Sequence, residues 1–237
     1  MRTLYTLILL ILLAGTGLYV AQRTDLISAR WNPWALPDPD QPPGWLTSWQ
    51  LSRLSNDTPA CLDWLDRAGV EVTPVPDRAG QEAGCSLTGV ATLRRSLLRY
   101  DKGVTASCPV LAGLVLYEKH VIIPAALRHF GTEPIEVQHL GTYACRPIRT
   151  PEGNSIRRSE HATANAIDIA AVKLANGQRT VLVKDWGETE SNDPAALFWR
   201  DAHAGACKIF RAALGPAYNS LHRDHFHLDM GRFSACR

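Results

Sequence analysis

The chain has 237 residues, of which 46% are hydrophobic, and a formal net charge of +2. This is enough for one packed domain with extensions, and it excludes wholesale disorder. So small a charge leaves no electrostatic footprint for nucleic acid, and none is expected as a partner. Residues 1–23, MRTLYTLILLILLAGTGLYVAQR, place an uncharged apolar run between Arg2 and Arg23. The run, 3–21, has 19 residues. It exceeds the ~7–15 of a signal-peptide core and approaches the ~20 that cross a bilayer. The segment is expected to be a retained transmembrane anchor; a cleaved signal is the alternative, and both imply export.

Residues 24–59 form a Pro/Trp-rich linker, with five prolines between Pro33 and Pro43. Proline at that density denies the stretch a helix or a central strand. Two forms stay open: an extended stalk, or a linker partly packed on its own domain. Its tryptophans are suited either to a membrane surface or to that packing.

The folded domain is expected over 60–237. A short helix starts it and stops at Gly69, and VEVTPV follows as a strand. CPVLAGLVLYEKHVIIPAALRHFG reads as a long helix, kinked or restarted at Pro124 and stopped at Gly131. PIEVQHLGTYACR is β-rich. A further helix is capped by Asn192 or Asp193, has Pro194 in its first turn, and is expected to end at Gly215. Helices precede and interrupt strands without strict alternation. This favours α+β with an antiparallel sheet and flanking helices.

Six cysteines, Cys61, Cys85, Cys108, Cys145, Cys207 and Cys236, include no C-x-x-C pair. They read as disulfides in an oxidising compartment. Consecutive pairing is the expectation: Cys61 with Cys85, Cys108 with Cys145, Cys207 with Cys236.

The chemistry concentrates in two stretches. Read as a strand, HFHLDM turns His225, His227 and Asp229 to one face and Phe226, Leu228 and Met230 to the other. In SEHATANAIDIAAV, Asp168 is the only charge within the apolar run 166–172. Buried without a partner, that carboxylate would cost several kcal/mol. A divalent cation removes the penalty. His161, Asp168 and one histidine of the pair 225/227 therefore form a candidate ligand set. Two imidazoles and a carboxylate with an open fourth position suit catalytic zinc, Zn2+. His222 reads as a loop residue. Asp229 shares the face of His227; a solvated or salt-bridged role is expected for it, with anchoring of a ligand imidazole as the alternative.

SEHATANAID is similar to the S-x-H-x-x-G-x-A-x-D pattern of zinc D-alanyl-D-alanine carboxypeptidases and related peptidases of the lysostaphin/hedgehog group. DHFHLD resembles their H-x-H strand. Together with GTYACR, GACKIF, LGPAYN and the terminal cysteine, these motifs resemble the bacterial extensin-like protein C-terminal family over roughly 61–237. The resemblance implies a hedgehog/DD-peptidase-like fold with His161, Asp168 and His227 as zinc ligands. It makes His225 and Asp224 the catalytic, proton-handling pair, with Asp224 standing where the carboxypeptidases carry a Glu base. It gives substrate binding to Arg146 and Ser159. The motif glycine is Ala164 here; if that position needs positive φ, alanine costs on the order of 1 kcal/mol.

The function so implied is a zinc-dependent peptidoglycan peptidase, cutting near D-alanine of the stem peptide. It would be held in the bacterial inner membrane by the N-terminal helix, with the domain in the periplasm, or be secreted if that helix is cleaved. The alternative is a non-catalytic, zinc-containing wall-binding module.

Overall fold

A computed structural model describes residues 2–23, 27–187 and 191–237. The first three residues of the linker, 24–26, lie outside the described residues. The architecture is α+β, as expected. The N-terminal helix Arg2–Arg23 has no buried residue across its apolar window Arg2–Ala21.

One sheet dominates the domain. Among the described residues it has seven strands, running in space Ala235–Cys236, Ala212–Leu214, Phe226–Asp229, Ala166–Leu174, Pro134–Gly141 and Arg99–Tyr100. Arg179–Val181 also pairs with Ala166–Leu174. The central pairings are antiparallel. The two outer ones, Arg99–Tyr100 on Pro134–Gly141 and Ala235–Cys236 on Ala212–Leu214, are parallel.

Alternation along the strands splits the sheet into an apolar and a polar face. Ile167, Ile169, Val172, Phe226 and Leu228 are buried in the core. Helices cover that side. The long helix spans Cys108–Phe130, and its first ten residues are buried all round. A π-turn, Glu118–Ile122, interrupts it; it resumes as Ile123–Phe130 with Pro124 in the first turn, and stops at the left-handed Gly131. Restart and stop both agree with the sequence reading.

The C-terminal helix Pro194–Ile209 packs against this long helix at Gly205, where an added Cβ would lie 2.4 Å from Val121. The glycine that weakens the helix by propensity thus lets two helices approach. This helix starts where expected, capped by Asp193, but ends at Ile209 and not at Gly215. Residues 212–214 instead pair with Phe226–Asp229: sheet contacts override a helical pattern.

Of the two linker forms, the structure has the packed one. Leu51 and Leu54 join the main core. Gln50 Nε2 donates to Ala29 O and Asn32 O, and Trp64 Nε1 donates to Pro37 O at 2.6 Å.

The disulfides correct two expected pairings. The bridges are Cys61–Cys108, Cys85–Cys145 and Cys207–Cys236; the last alone matches expectation. Cys61 lies on the helix Thr58–Arg67, which packs on the start of the long helix, where Cys108 sits. Cys85 is held near the hairpin Pro147–Thr150/Gly153–Arg158, since Arg158 bonds Glu82 and Ala83 O. Neighbours in sequence are not neighbours in space.

Candidate metal centre

Strand register builds the site. Asp168 lies directly opposite His227 in the antiparallel ladder, with both side chains on the polar face. On the other flank of Asp168 the partner is Gly141, which has no side chain to fill the space. His161 enters from the 3-10 turn Glu160–Thr163. Ser159 Oγ caps that turn by accepting from His161 N at 3.4 Å. The turn ends at Ala164 with φ 52°, the sole positive-φ non-glycine residue among those described. The position does require the left-handed conformation that sequence comparison attaches to a glycine.

Three donor atoms converge. His161 Nε2 and Asp168 Oδ1 are 3.1 Å apart, His161 Nε2 and His227 Nδ1 3.1 Å, and His227 Nδ1 and Asp168 Oδ1 3.0 Å. The side chains are only 3%, 13% and 12% exposed, so bulk water cannot satisfy them. The outward nitrogens are already committed: His161 Nδ1–H donates to Thr142 O at 3.1 Å, and His227 Nε2–H donates to Asp229 Oδ2 at 3.0 Å. With those protons fixed, two imidazole lone pairs and a carboxylate oxygen face one point.

This donor set could hold a cation. A tetrahedral zinc with bonds of about 2.0–2.1 Å has its donors about 3.3 Å apart. The observed edges are a few tenths of an ångström shorter. Outer partners of this kind, a carbonyl and a carboxylate, fix ligand tautomers in metal sites generally. The three residues fit the metal.

Without a metal, protons take its place. Burial by itself would raise the Asp168 pKa, but hydrogen bonds from His161 and His227 outweigh it and hold the carboxyl well below the usual range. Burial would lower His227; its bonds to Asp168 and Asp229 instead raise it to about 9.

The other residues singled out in sequence fall around this triangle. His225 Nε2 lies 3.6 Å from Asp168 Oδ1, and its Nδ1–H donates to Asp224 Oδ1 at 2.9 Å. Asp224 therefore orients His225, and His225 is the member of the pair that faces the donors. Arg146 donates to Pro147 O and has no carboxylate partner among the described residues; it is close enough to Asp168 to feel its charge. Ser159 is buried and occupied as the turn cap, which gives it a positioning task. Asp229 is buried and bonds His227 Nε2, so the expected solvated role is corrected and the alternative, an anchor for the imidazole, describes the geometry.

His222 was not legible as a site residue. Its ring centroid is 5.3 Å from that of His225 and 5.9 Å from that of His227, and its Nδ1 faces Asn219 Oδ1 at 2.7 Å. Desolvation, then the neighbouring His227 and His225, lower it to about 4. Only its spacing of three from His225 hinted at this. A second grouping, His203 with Cys207 and Cys236, offers no thiolates because the two sulfurs form a disulfide. A cavity of about 570 Å³ lies beside Glu160, Asn165 and Gly231 and is not lined by the three donors. Convergent lone pairs, rather than empty volume, mark the candidate site.

Fold and site together define a disulfide-bridged α+β domain in which His161, Asp168 and His227 converge on the polar face of the main sheet. The chain belongs to the family described as Extensin-like protein C-terminus, whose profile matches residues 59–237. No curated protein and no solved structure matches it.

Proposed function

We propose that this protein is a zinc-dependent peptidase of the cell envelope, acting on peptidoglycan stem peptides near D-alanine. One observation carries the reading: three lone pairs meet at 3.0–3.1 Å while their outer nitrogens are held by other acceptors. A sheet with helices on one face and His161, Asp168 and His227 on the other is the arrangement we infer to be shared with the lysostaphin/hedgehog peptidases. When bound by these three residues, zinc would supply Lewis-acid activation of water and of a substrate carbonyl.

The chain's own groups do the rest. His225, with Nδ1–H fixed on Asp224, presents Nε2 to take a proton and return it to the leaving amine. The Arg146 guanidinium, without a carboxylate partner among the described residues, offers forked donors to a substrate oxygen. The N-terminal helix holds the domain at the periplasmic side of the inner membrane.

The test is digestion of purified muropeptides by the zinc-loaded protein. Release of D-alanine or of shortened stems is expected, with His225→Ala inactive yet still loaded with zinc. A fully loaded wild-type protein that cuts nothing rules the peptidase reading out. One observation favours a second reading, a zinc-containing wall-binding module: Asp224 is engaged by His225, so no free carboxylate occupies the position of the carboxypeptidase base. Retention on peptidoglycan sacculi without cleavage is what that reading expects.

A further inference from the structure

The seven tryptophans of the chain divide sharply. Trp64 and Trp199 are fully buried, and Trp186 is half-buried against Phe226 and His203. The four exposed ones all fall between residues 31 and 49: Trp31 at 60%, Trp34 at 60%, Trp45 at 71% and Trp49 at 39%. Exposed indoles are expensive to hydrate and rarely gather without a partner.

They are mounted on one small, braced unit. Arg53 donates to Pro33 O and Trp34 O and lies over the Trp49 ring, 5.4 Å from its centroid. Arg30 lies over Trp31 at 5.8 Å, with its side chain against Gly44, next to Trp45. Gln50 ties the helix Thr47–Ser52 to residues 29–32. Neither arginine has a carboxylate partner among the described residues, so both guanidiniums can meet phosphate.

Chain continuity says what covers these indoles. The helix Arg2–Arg23 is exposed along its apolar window, whose 20 residues span about 30 Å, the thickness of a hydrocarbon core. Tyr5 and Tyr19 stand near its two ends. From Arg23 to Ala29 the chain can reach at most about 20 Å. Indole and guanidinium are the side chains that favour the water–lipid boundary.

We infer that these four tryptophans form a collar seated in the headgroup layer of a bilayer, docking the domain flat against the membrane in which its own N-terminal helix is anchored. The inference rests on the reading of that helix as a retained anchor. The collar makes the catalytic domain a surface-bound one rather than one swinging on a tether.

The experiment uses the full chain in vesicles of phosphatidylethanolamine and phosphatidylglycerol, with or without bromine on the acyl chains near the headgroup. Residues 2–23 contain no tryptophan, so quenching reports the collar and not the anchor. Brominated lipid should remove roughly a third or more of the indole emission, and Trp31→Ala/Trp34→Ala/Trp45→Ala should cut that loss about threefold. Trp45→Phe alone, the mildest change, should reduce it measurably and guards against misfolding of the triple variant. A chain that floats with the vesicles but shows no quenching overturns the collar and leaves the anchor standing. A chain that does not float overturns the anchor and the collar with it. Emission that ignores bromine but shifts with soluble disaccharide-peptide fragments assigns the face to sugar instead, and also overturns the proposal.

Discussion

Two largely desolvated carboxylates in this chain behave in opposite ways. Asp168 sits on the polar face of the sheet among imidazoles, and its pKa is held low. Glu118 sits in the π-turn of the long helix, 1% exposed, and burial raises it from 4.5 to about 7. Glu118 is not poor in partners: it accepts from Ser96 Oγ, Leu98 N and Tyr100 OH. The difference lies in what the partners are. Hydroxyls and an amide satisfy the oxygens of Glu118 without supplying charge, so desolvation prevails. The partners of Asp168 can carry positive charge, and their bonds to the carboxylate outweigh its desolvation. Burial alone does not make a functional carboxylate; the charge its neighbours can bear does.

The largest effect should come from Asp168→Asn. The amide keeps the shape but brings a neutral oxygen or a proton donor to the triangle. Zinc affinity, measured by calorimetry at pH 7.5, should fall by about 100-fold or more. An unchanged affinity would make Asp168 a structural acid like Glu118.

Glu118→Gln should act on stability and leave zinc alone. The folded protein keeps the Glu118 proton up to about pH 7, whereas the unfolded chain releases it near 4.5. Folding therefore takes up a proton between those values. This contribution is full below pH 4.5 and is lost as pH rises to 7, a fall of about 3 kcal/mol. Urea unfolding of the wild type should show the decline, and the glutamine variant should lack it.

Asp229→Ala removes the acceptor for His227 Nε2 and so frees the ring to turn. Loss of such an outer partner typically lowers metal affinity by about 10–100-fold; competition with a chelator gives the value. The smallest effect on zinc is expected from Asp224→Asn, which touches His225 and none of the three donors. Its affinity should stay within about threefold of wild type, while muropeptide turnover drops.

Much of the donor set was legible. Alternation in HFHLDM set His225 and His227 on one face and the apolar residues on the other, and Asp168 was the single charge of its run. His161 was legible as the histidine seven residues upstream of Asp168 and through its place in the S-x-H motif; no periodicity connects a turn to a strand. The outer partners were out of reach: Thr142 contributes a main-chain carbonyl, which has no residue signature. The role of Asp224 depended on one rotamer. In the fold, caps and turn glycines marked helix starts and the stop at Gly131, but the early end at Ile209 was set by sheet pairing 17 residues away, between Ala212 and Asp229. The crossed cysteine pairs reflect packing between elements that composition does not relate.

That crossing reaches into how the molecule is made. The loops closed by Cys61–Cys108 and Cys85–Cys145 overlap over residues 85–108. A polypeptide delivered N-terminus first into an oxidising space shows Cys61 a thiol at position 85 well before the one at 108 has emerged. The earliest bridge on offer is thus a wrong one. Correct assembly requires that the first oxidation wait, or that a thiol–disulfide isomerase undo it by exchange, and yield should depend on such a helper far more than for a chain bridged in consecutive order.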